Sequence, residues 1–132
     1  MPELTFQTNR RQELIDITVA VREAVTDLSC QAVMIYSPHT TDGILINEHA
    51  DPDVARDLLA ALDEMVPSGG IYRHGEGNSP AHVKTVMVGT TQLIPIKDGR
   101  PALGTWQGIF LAEFDGPRRR RVLVSLIGAR SE

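Results

Sequence analysis

The sequence predicts an α+β fold: a single compact domain with a largely antiparallel β-sheet of seven or eight strands and two or three helices. Short apolar or alternating segments recur between turn residues, and most are spaced for hairpin connections. Three further segments carry helix start signals or apolar residues at helical spacing. With 132 residues, 42% apolar and 23% charged, the chain is an ordinary globular one. This length predicts one domain over residues 1–132.

The strand predictions rest on alternation or on short apolar runs. The segments are residues 4–8, 14–17, 32–36, 44–46, 91–96, 101–103, 109–114 and 121–127. A turn at residues 9–12 predicts that the first two strands pair as a hairpin. Residues 97–100 predict a second hairpin turn.

Three helices are predicted from caps and apolar spacing. The first covers about residues 19–28 and is capped by Thr18. The second begins at Asp51-Pro52-Asp53, a capping Asp followed by Pro at the first helical position. The third covers residues 81–88, follows Ser79-Pro80 and closes at Gly89. The residues expected to face the core are Val54, Leu58, Ala61, Leu62 and Met65 in the second helix, and Val83, Val86 and Met87 in the third.

Composition excludes several functional classes. A net charge of −4 and a pI of about 5.5 argue against generic nucleic-acid binding. The single cysteine, Cys30, can form neither an internal disulfide nor a Cys-pair metal site. Without an apolar signal region or a membrane-length apolar run, we expect a cytoplasmic protein with no membrane partner.

The densest polar stretch runs through residues 72–82. His74, Glu76 and Asn78 alternate with glycines, so in extended backbone their side chains project from one side. Ser79-Pro80 then starts the third helix and places His82 in its first turn, where free N–H groups attract anions. This stretch is the first candidate for metal or proton chemistry.

A second candidate is His39, in a polar loop between two predicted strands. Imidazole is the commonest protein ligand for zinc-like metals, so His39, His74 and His82 form a candidate metal set. Glu48 or Glu76 would serve as acid or base beside His39 and His82. Loop histidines are more often exposed or hydrogen-bonded than ligands, and Glu48 is equally a polar residue between strand and helix.

Two further features suit substrate binding. Trp106, the only tryptophan, either packs in a core or interface or stacks a heteroaromatic ring whose edge Gln107 contacts. Residues 118–121 are four arginines, either a solvated strand end or a cationic patch for phosphate, to which Lys84 could add.

Motifs over essentially the whole chain, in order, resemble the YjbQ-like family, commonly labelled "secondary thiamine-phosphate synthase enzyme". One departure is His49, where a small polar residue such as Asn is expected. The motifs are Ser37-Pro38-His39-Thr40-Thr41, Ile46-Asn47-Glu48 through Asp51-Pro52-Asp53, His74-Gly75-Glu76-Gly77-Asn78-Ser79 with His82, Gly104-Thr105-Trp106-Gln107-Gly108, and Glu113-Phe114-Asp115-Gly116-Pro117-Arg118.

The resemblance implies a compact α+β homotrimer with its histidine-bearing loops in a cleft at or near the subunit interface. It also implies a weak coupling of a pyrimidine methyl pyrophosphate to a thiazole phosphate, with release of pyrophosphate. A divalent metal, Zn or Mg, and a small phosphorylated substrate would suit that reaction. The expected site residues are His39, Glu48, Glu76 and His82 as catalytic groups, His39, His74 and His82 as metal ligands, and Asn78, Lys84, Trp106, Gln107 and Arg118 as substrate-binding groups. A non-catalytic trimeric protein that binds metal or a phosphorylated ligand, and a purely structural polar cluster, remain the alternatives.

Overall fold

The predicted α+β architecture is confirmed by a computed structural model, which describes residues 2–128 of the chain. This part contains eight strands and three helices. In chain order they are β1 (Glu3–Gln7), β2 (Glu13–Asp16), α1 (Thr18–Ala24), β3 (Ala32–Tyr36), β4 (Asp42–Glu48), α2 (Pro52–Met65), α3 (Ser79–Val88), β5 (Thr91–Lys97), β6 (Arg100–Pro101), β7 (Gln107–Glu113) and β8 (Arg119–Ile127). None of these helices is long and apolar enough to cross a membrane.

The strands form two antiparallel sheets rather than one. The larger has the order β1-β8-β3-β5-β6 and the smaller the order β2-β7-β4. In the larger sheet Val33 pairs with Ile94 on one side and with Leu126 on the other. In the smaller sheet Ile44 pairs with Leu111. Val33, Ile44 and Leu111 belong to one buried cluster, so the two sheets pack against each other around it.

The predicted hairpin between the first two strands is wrong. β1 pairs with β8 and β2 pairs with β7, so the two strands lie in different sheets. The turn between them is closed by the Glu13 carboxylate, which accepts the backbone N–H groups of Asn9 and Arg10. Such a local hydrogen-bonded turn redirects the chain from one sheet to the other without a paired ladder.

The first helix is shorter than predicted, and Thr18 does not cap it. The backbone N–H and the hydroxyl of Thr18 both donate to the Asp16 carboxylate. Its hydroxyl oxygen also accepts the N–H of Ile109. Thr18 therefore anchors α1 to β7, and the helix ends at Ala24.

The helix starts are better predicted than the faces. Asp51 caps α2 as expected, because its side-chain carboxylate accepts the backbone N–H of Asp53 at 2.9 Å. The predicted apolar stripe is not buried, however: Val54, Leu58 and Leu62 are half-buried, and Ala61 and Met65 are exposed. Helix α3 is turned from its predicted orientation: Val83, Val86 and Met87 are exposed, whereas Ala81, Lys84 and Thr85 are buried. Ala81 packs with Ala112 and Phe114, because a small residue lets the helix lie close to the sheet.

Candidate functional site

His39 lies in the loop between β3 and β4 and is fixed by two hydrogen bonds. Its backbone N–H donates to the Ser37 hydroxyl at 3.2 Å. Its ring Nε2 accepts the backbone N–H of Arg121 at 3.0 Å. The first bond comes from its own loop and the second from strand β8. The imidazole is thus held against strand β8, just beyond the end of its ladder with β3.

A buried ionic cluster lies beneath this loop. Arg120 is 1% exposed, and its side chain contacts both carboxylate oxygens of Glu113. The Arg120 guanidinium also donates to the carbonyl and hydroxyl oxygens of Thr41, at 3.0 and 2.9 Å. Asp42, fully buried, lies with Oδ2 3.5 Å from Arg120 Nε and accepts the Ser37 hydroxyl through Oδ1. The arginine run is therefore not simply a solvated strand end, since its third member is the centre of this cluster.

The cluster has electrostatic consequences for its neighbours. Burial raises the pKa of Asp42 from 3.8 to about 6, against the Ser37 hydrogen bond and the Arg120 charge. Burial also opposes ionisation of Glu113, but its hydrogen bonds from Arg120, from Thr8 and from a backbone N–H hold its pKa below the ordinary value. One cation thus faces two carboxylates, a costly arrangement in a small domain.

The pKa of His39 is lowered from its ordinary 6.5. Its partial burial is the largest cause, followed by the positive charges of Arg120 and Arg121, with a smaller contribution from Arg118. Only Glu113 among the named groups acts in the opposite direction. At neutral pH this imidazole is therefore uncharged.

His39 and His82 share one cavity. Its volume is about 440 Å³. The loop after β3 supplies one wall, the first turns of α3 the second, and the turn after α3 the third. The lining residues are His39, Thr40, His82, Thr85, Val86, Gly89 and Thr90. The sequence predicted that His39, His74 and His82 would meet in one pocket, and His74 does not line this cavity.

His74 joins the group through His82. The two imidazole rings lie edge to face, with centroids 5.2 Å apart and planes at 88°. Within residues 2–128, however, no three His, Cys, Asp or Glu side chains form a group that could hold a metal ion. The predicted metal set of His39, His74 and His82 is therefore not assembled with ligand geometry within these residues.

Asn78 and Arg118, both expected to bind substrate, meet at Asp115. The Asn78 amide donates to Asp115 Oδ2 at 2.8 Å. Arg118 donates to the carbonyl oxygen and to Oδ2 of the same residue, at 2.8 and 3.1 Å. Glu76 and Asn78 line a smaller cavity of about 180 Å³ that Asp115 also borders. The acid/base prediction for Glu76 stays a prediction, since it lines this second cavity and not the first.

Lys84 does not join the arginines, contrary to expectation. Its side chain is only 3% exposed, and its ammonium donates to Asp63 and to Gln12, each at 2.5 Å. The hydrogen bond from Lys84 is the main cause that lowers the pKa of Asp63. Lys84 thus ties α3 to α2 and to the turn before β2. A buried ammonium that already has a carboxylate partner is unavailable to a substrate phosphate.

Glu48, Trp106 and Gln107 lie at the other end of the smaller sheet. Glu48 pairs with Gln107 in the ladder, whereas Asp42, at the start of β4, pairs with Glu113. Six residues of extended strand separate these positions by roughly 20 Å. Gln107 uses its side-chain oxygen to accept the N–H of Gly104, and Trp106 is 64% exposed. One chain therefore does not bring these three residues to the His39 cavity.

His49 is at this second end as well. Its Nδ1 lies 2.8 Å from Asp16 Oδ2, and Gly108 makes room for the ring. A Cβ at position 108 would lie 2.4 Å from His49 Nδ1. The fourth histidine is thus a separate, exposed pair with a carboxylate.

Sequence reasoning missed the buried polar residues behind His39, namely Ser37, Thr41, Asp42, Glu113 and Arg120. One signal was available. Glu113 is a charged residue within the otherwise apolar run 109–114, and a charge inside a buried strand requires a buried partner. Asp115 was likewise not among the predicted site residues.

The chain is similar to known proteins over nearly its whole length. Residues 2–129 match the family described as UPF0047 protein YjbQ-like. The UPF0047 protein MJ1081 of Methanocaldococcus jannaschii is 52% identical over 125 residues, which cover 93% of this chain and 91% of that protein. The UPF0047 protein YugU of Bacillus subtilis is 47% identical over 128 residues, covering 95% of this chain and 97% of that protein.

Solved structures agree with the fold. A crystal structure of a YjbQ/UPF0047 protein from Clostridium acetobutylicum has a TM-score of 0.93 and 48% identity, covering 96% of this chain and 100% of that one. The conserved hypothetical protein TT1486 from Thermus thermophilus has a TM-score of 0.90 and 42% identity, with the same coverage. The chain therefore belongs to the YjbQ-like family, UPF0047.

Proposed function

We propose that the cavity between the β3–β4 loop and α3 is the active site of a metal-assisted enzyme that acts on a small phosphorylated substrate. Its measurable reaction would be a secondary thiamine-phosphate synthase activity. The observation that carries this proposal is the meeting of His39 and His82 in one cavity, beside arginines whose charges reach His39.

The arginines suit the leaving group of that reaction. Departure of pyrophosphate from the pyrimidine methyl group leaves negative charge on phosphate oxygens, which fixed cationic donors stabilise. The side chains of Arg118 and Arg121 are 51% and 53% exposed, so both guanidinium groups can donate to a ligand. Arg118 is oriented for this by Asp115, and guanidinium groups bind phosphate oxygens in a bidentate manner.

The divalent metal, Zn or Mg, is part of the proposal. The contact between His74 and His82 supplies two imidazoles close enough to share one ion, and substrate phosphates commonly complete such a coordination sphere. When bound, the ion would neutralise charge on the departing pyrophosphate. Metal analysis of protein purified in metal-free buffer should find an ion that is lost in His74→Ala and retained in His49→Ala, the control at the far end of β4.

We also infer a homotrimer. The outer face of the larger sheet carries apolar side chains that nothing in residues 2–128 covers: Tyr36, Leu93 and Ile127 are all exposed, Leu93 to 62%. Neighbouring strands bring them together, since Leu93 pairs with Met34 in the ladder between β5 and β3. An apolar face of this kind is typical of a subunit interface. Sedimentation should give a trimer that Leu93→Glu dissociates.

Turnover tests the function directly. Purified protein with Mg²⁺ or Zn²⁺, a pyrimidine methyl pyrophosphate and a thiazole phosphate should form thiamine phosphate. His82→Ala should lose at least about 100-fold in rate, the usual contribution of a general acid or base. Glu64→Ala, on an exposed position of α2, is the matched control and should keep full activity. Wild-type protein that forms no product with either metal would remove this reaction.

One observation favours a second candidate, a non-catalytic protein that binds a phosphorylated ligand. The residues that line the larger cavity include no carboxylate, and Glu48 lies at the far end of the sheet. A site without a carboxylate binds an anion readily but has fewer groups for acid–base work. Calorimetry that shows pyrophosphate binding without any turnover would favour this candidate.

A further inference from the structure

The hydrogen bond to His39 Nε2 fixes which ring nitrogen carries the proton. The partner is the backbone N–H of Arg121, at 3.0 Å, and a backbone N–H can only donate. The facing ring nitrogen must therefore have its lone pair free. A neutral imidazole has one N–H, so the proton of His39 resides on Nδ1. A ring rotated by 180° would place a carbon opposite this N–H and lose the bond.

The neutral form is enforced by the surroundings. The charged groups around the ring are the three arginines 118, 120 and 121, opposed by Glu113 alone. Together with partial burial they hold the pKa of His39 below 6.5. The ring therefore remains neutral where an ordinary surface histidine begins to be protonated.

The buried ionic cluster fixes the position of the His39 ring. Ser37 connects the two parts, because its hydroxyl donates to Asp42 and accepts the N–H of His39. Arg120 binds Thr41 from the same loop and precedes Arg121, whose N–H binds the ring. Both anchors of His39 thus depend on the position of Arg120.

We propose that His39 acts as a neutral hydrogen-bond donor, through Nδ1–H, to an anionic oxygen of the ligand in the cavity. This inference deepens the proposed function of the site and rests on it for the ligand class. It assigns His39 a role different from a general base or a metal ligand, since both of those need a lone pair on the nitrogen that here carries hydrogen. Arg120 is a positioning residue for this donor. The hydroxyls of Thr40 and Thr90 line the same cavity and would complement an oxyanion.

The tautomer can be tested without any substrate. Long-range proton–nitrogen NMR spectra of protein with ¹⁵N-labelled histidine, with the His39 signals assigned by their loss in His39→Asn, distinguish the two tautomers. We expect the Nδ1–H form at pH 7. An Nε2–H form or an imidazolium at pH 7 would overturn the proposal. Arg120→Lys should weaken the Nδ1–H signature by allowing tautomer exchange, and an unchanged spectrum would overturn the positioning role.

The donor role is tested with inorganic pyrophosphate as the probe. An Asn side chain places its amide donor near the position of Nδ1, whereas Gln places its amide near Nε2. By calorimetry, His39→Asn should bind pyrophosphate within about threefold of wild type and His39→Gln about tenfold more weakly or worse, as for a lost charge-assisted hydrogen bond. The same pair at His49 is the control and should change nothing.

The outcomes separate this inference from the proposed reaction. Pyrophosphate binding with the expected Asn and Gln difference, but no thiamine phosphate, leaves the donor role standing and removes the reaction. Tighter binding by the Gln variant than by the Asn variant, or no binding by wild type, overturns the donor role itself.

Discussion

Two histidines lie at opposite ends of one strand, β4, and each is held through a single ring nitrogen. His39 precedes the strand and accepts a backbone N–H, whereas the His49 ring faces the Asp16 carboxylate. A carboxylate accepts and an amide donates, so the nitrogen that is held carries a proton at one end and a lone pair at the other. The partner, and not the residue type, decides what each imidazole offers to a ligand.

The two ends also differ in what supports them. Under His39 is a cluster of one arginine and two carboxylates, all at most 1% exposed. Under His49 is Asp16, whose side chain is 42% exposed, and a glycine that admits the ring. Buried charges cost folding free energy unless each has its partners. We infer that the costly buried charges are present at the His39 end because they fix the position of the His39 ring.

Removing Arg120 should have the largest effect. Arg120→Met leaves Glu113 and Asp42 as buried carboxylates without a cation, which typically costs about 3–5 kcal/mol. The free energy of unfolding from urea denaturation measures this loss. Arg119→Met, one residue away on the exposed side, should change it little. A loss below about 1 kcal/mol at Arg120 would mean that the cluster does not support this end.

Asp42→Asn should change how stability depends on pH. Since the pKa of Asp42 is raised to about 6 from 3.8, the folded protein retains a proton here that the unfolded chain has released. Wild-type stability therefore falls relative to the variant as pH rises from 4 to 6.5, by up to roughly 3 kcal/mol. The lowered pKa of His39 acts in both proteins and cancels in the difference. A difference that is constant over this range would contradict a raised pKa at Asp42.

Gly108→Ala tests the other end. The new Cβ would overlap the Cβ and the ring of His49, so the ring must leave Asp16 or the strand must shift. Overpacking of this kind costs about 1–3 kcal/mol, measured by thermal or urea unfolding. Gly75→Ala, where a Cβ meets nothing within 4 Å, provides the control. Equal stability of the two variants would show that His49 moves freely.

Asp16→Asn should have the smallest effect. The pair with His49 is exposed, so solvent screening leaves less than about 1 kcal/mol in its removal. The Asn side-chain oxygen can still accept the two hydrogen bonds from Thr18. The His49 tautomer should become a mixture in the NMR spectrum, while the His39 signals stay unchanged. A change at His39 would mean that the two ends are coupled through β4.

Much of the fold was readable from local chemistry. Asp51 followed by Pro52 predicts the start of α2, and the apolar run at residues 32–36 predicts a strand; both are confirmed. Strand pairing was harder to predict from the sequence, because no residue of β2 indicates that it pairs with β7 rather than with β1. The face of α3 was wrong for a physical reason. Lys84 is buried by an ion pair with Asp63, a partner that helical periodicity does not reveal.

Some residues of the candidate site could likewise be predicted from the sequence, and others could not. The prediction, from residue type, was that His39, His74 and His82 meet in one pocket, and two of the three, His39 and His82, line the same cavity. Arg120 could not be separated from its neighbours in the arginine run, because burial of alternate members depends on which face of β8 meets the core. Its partner Glu113 was visible only as an odd charge in an apolar segment.

We propose that the His39 end of β4, and not the His49 end, binds the phosphorylated ligand. A crystal of the protein grown with inorganic pyrophosphate distinguishes the two ends. We predict pyrophosphate in the cavity with an oxygen within hydrogen-bonding distance of His39 Nδ1 and another near the Arg118 guanidinium. Pyrophosphate bound beside His49 and Trp106, with the His39 cavity empty, would contradict the claim.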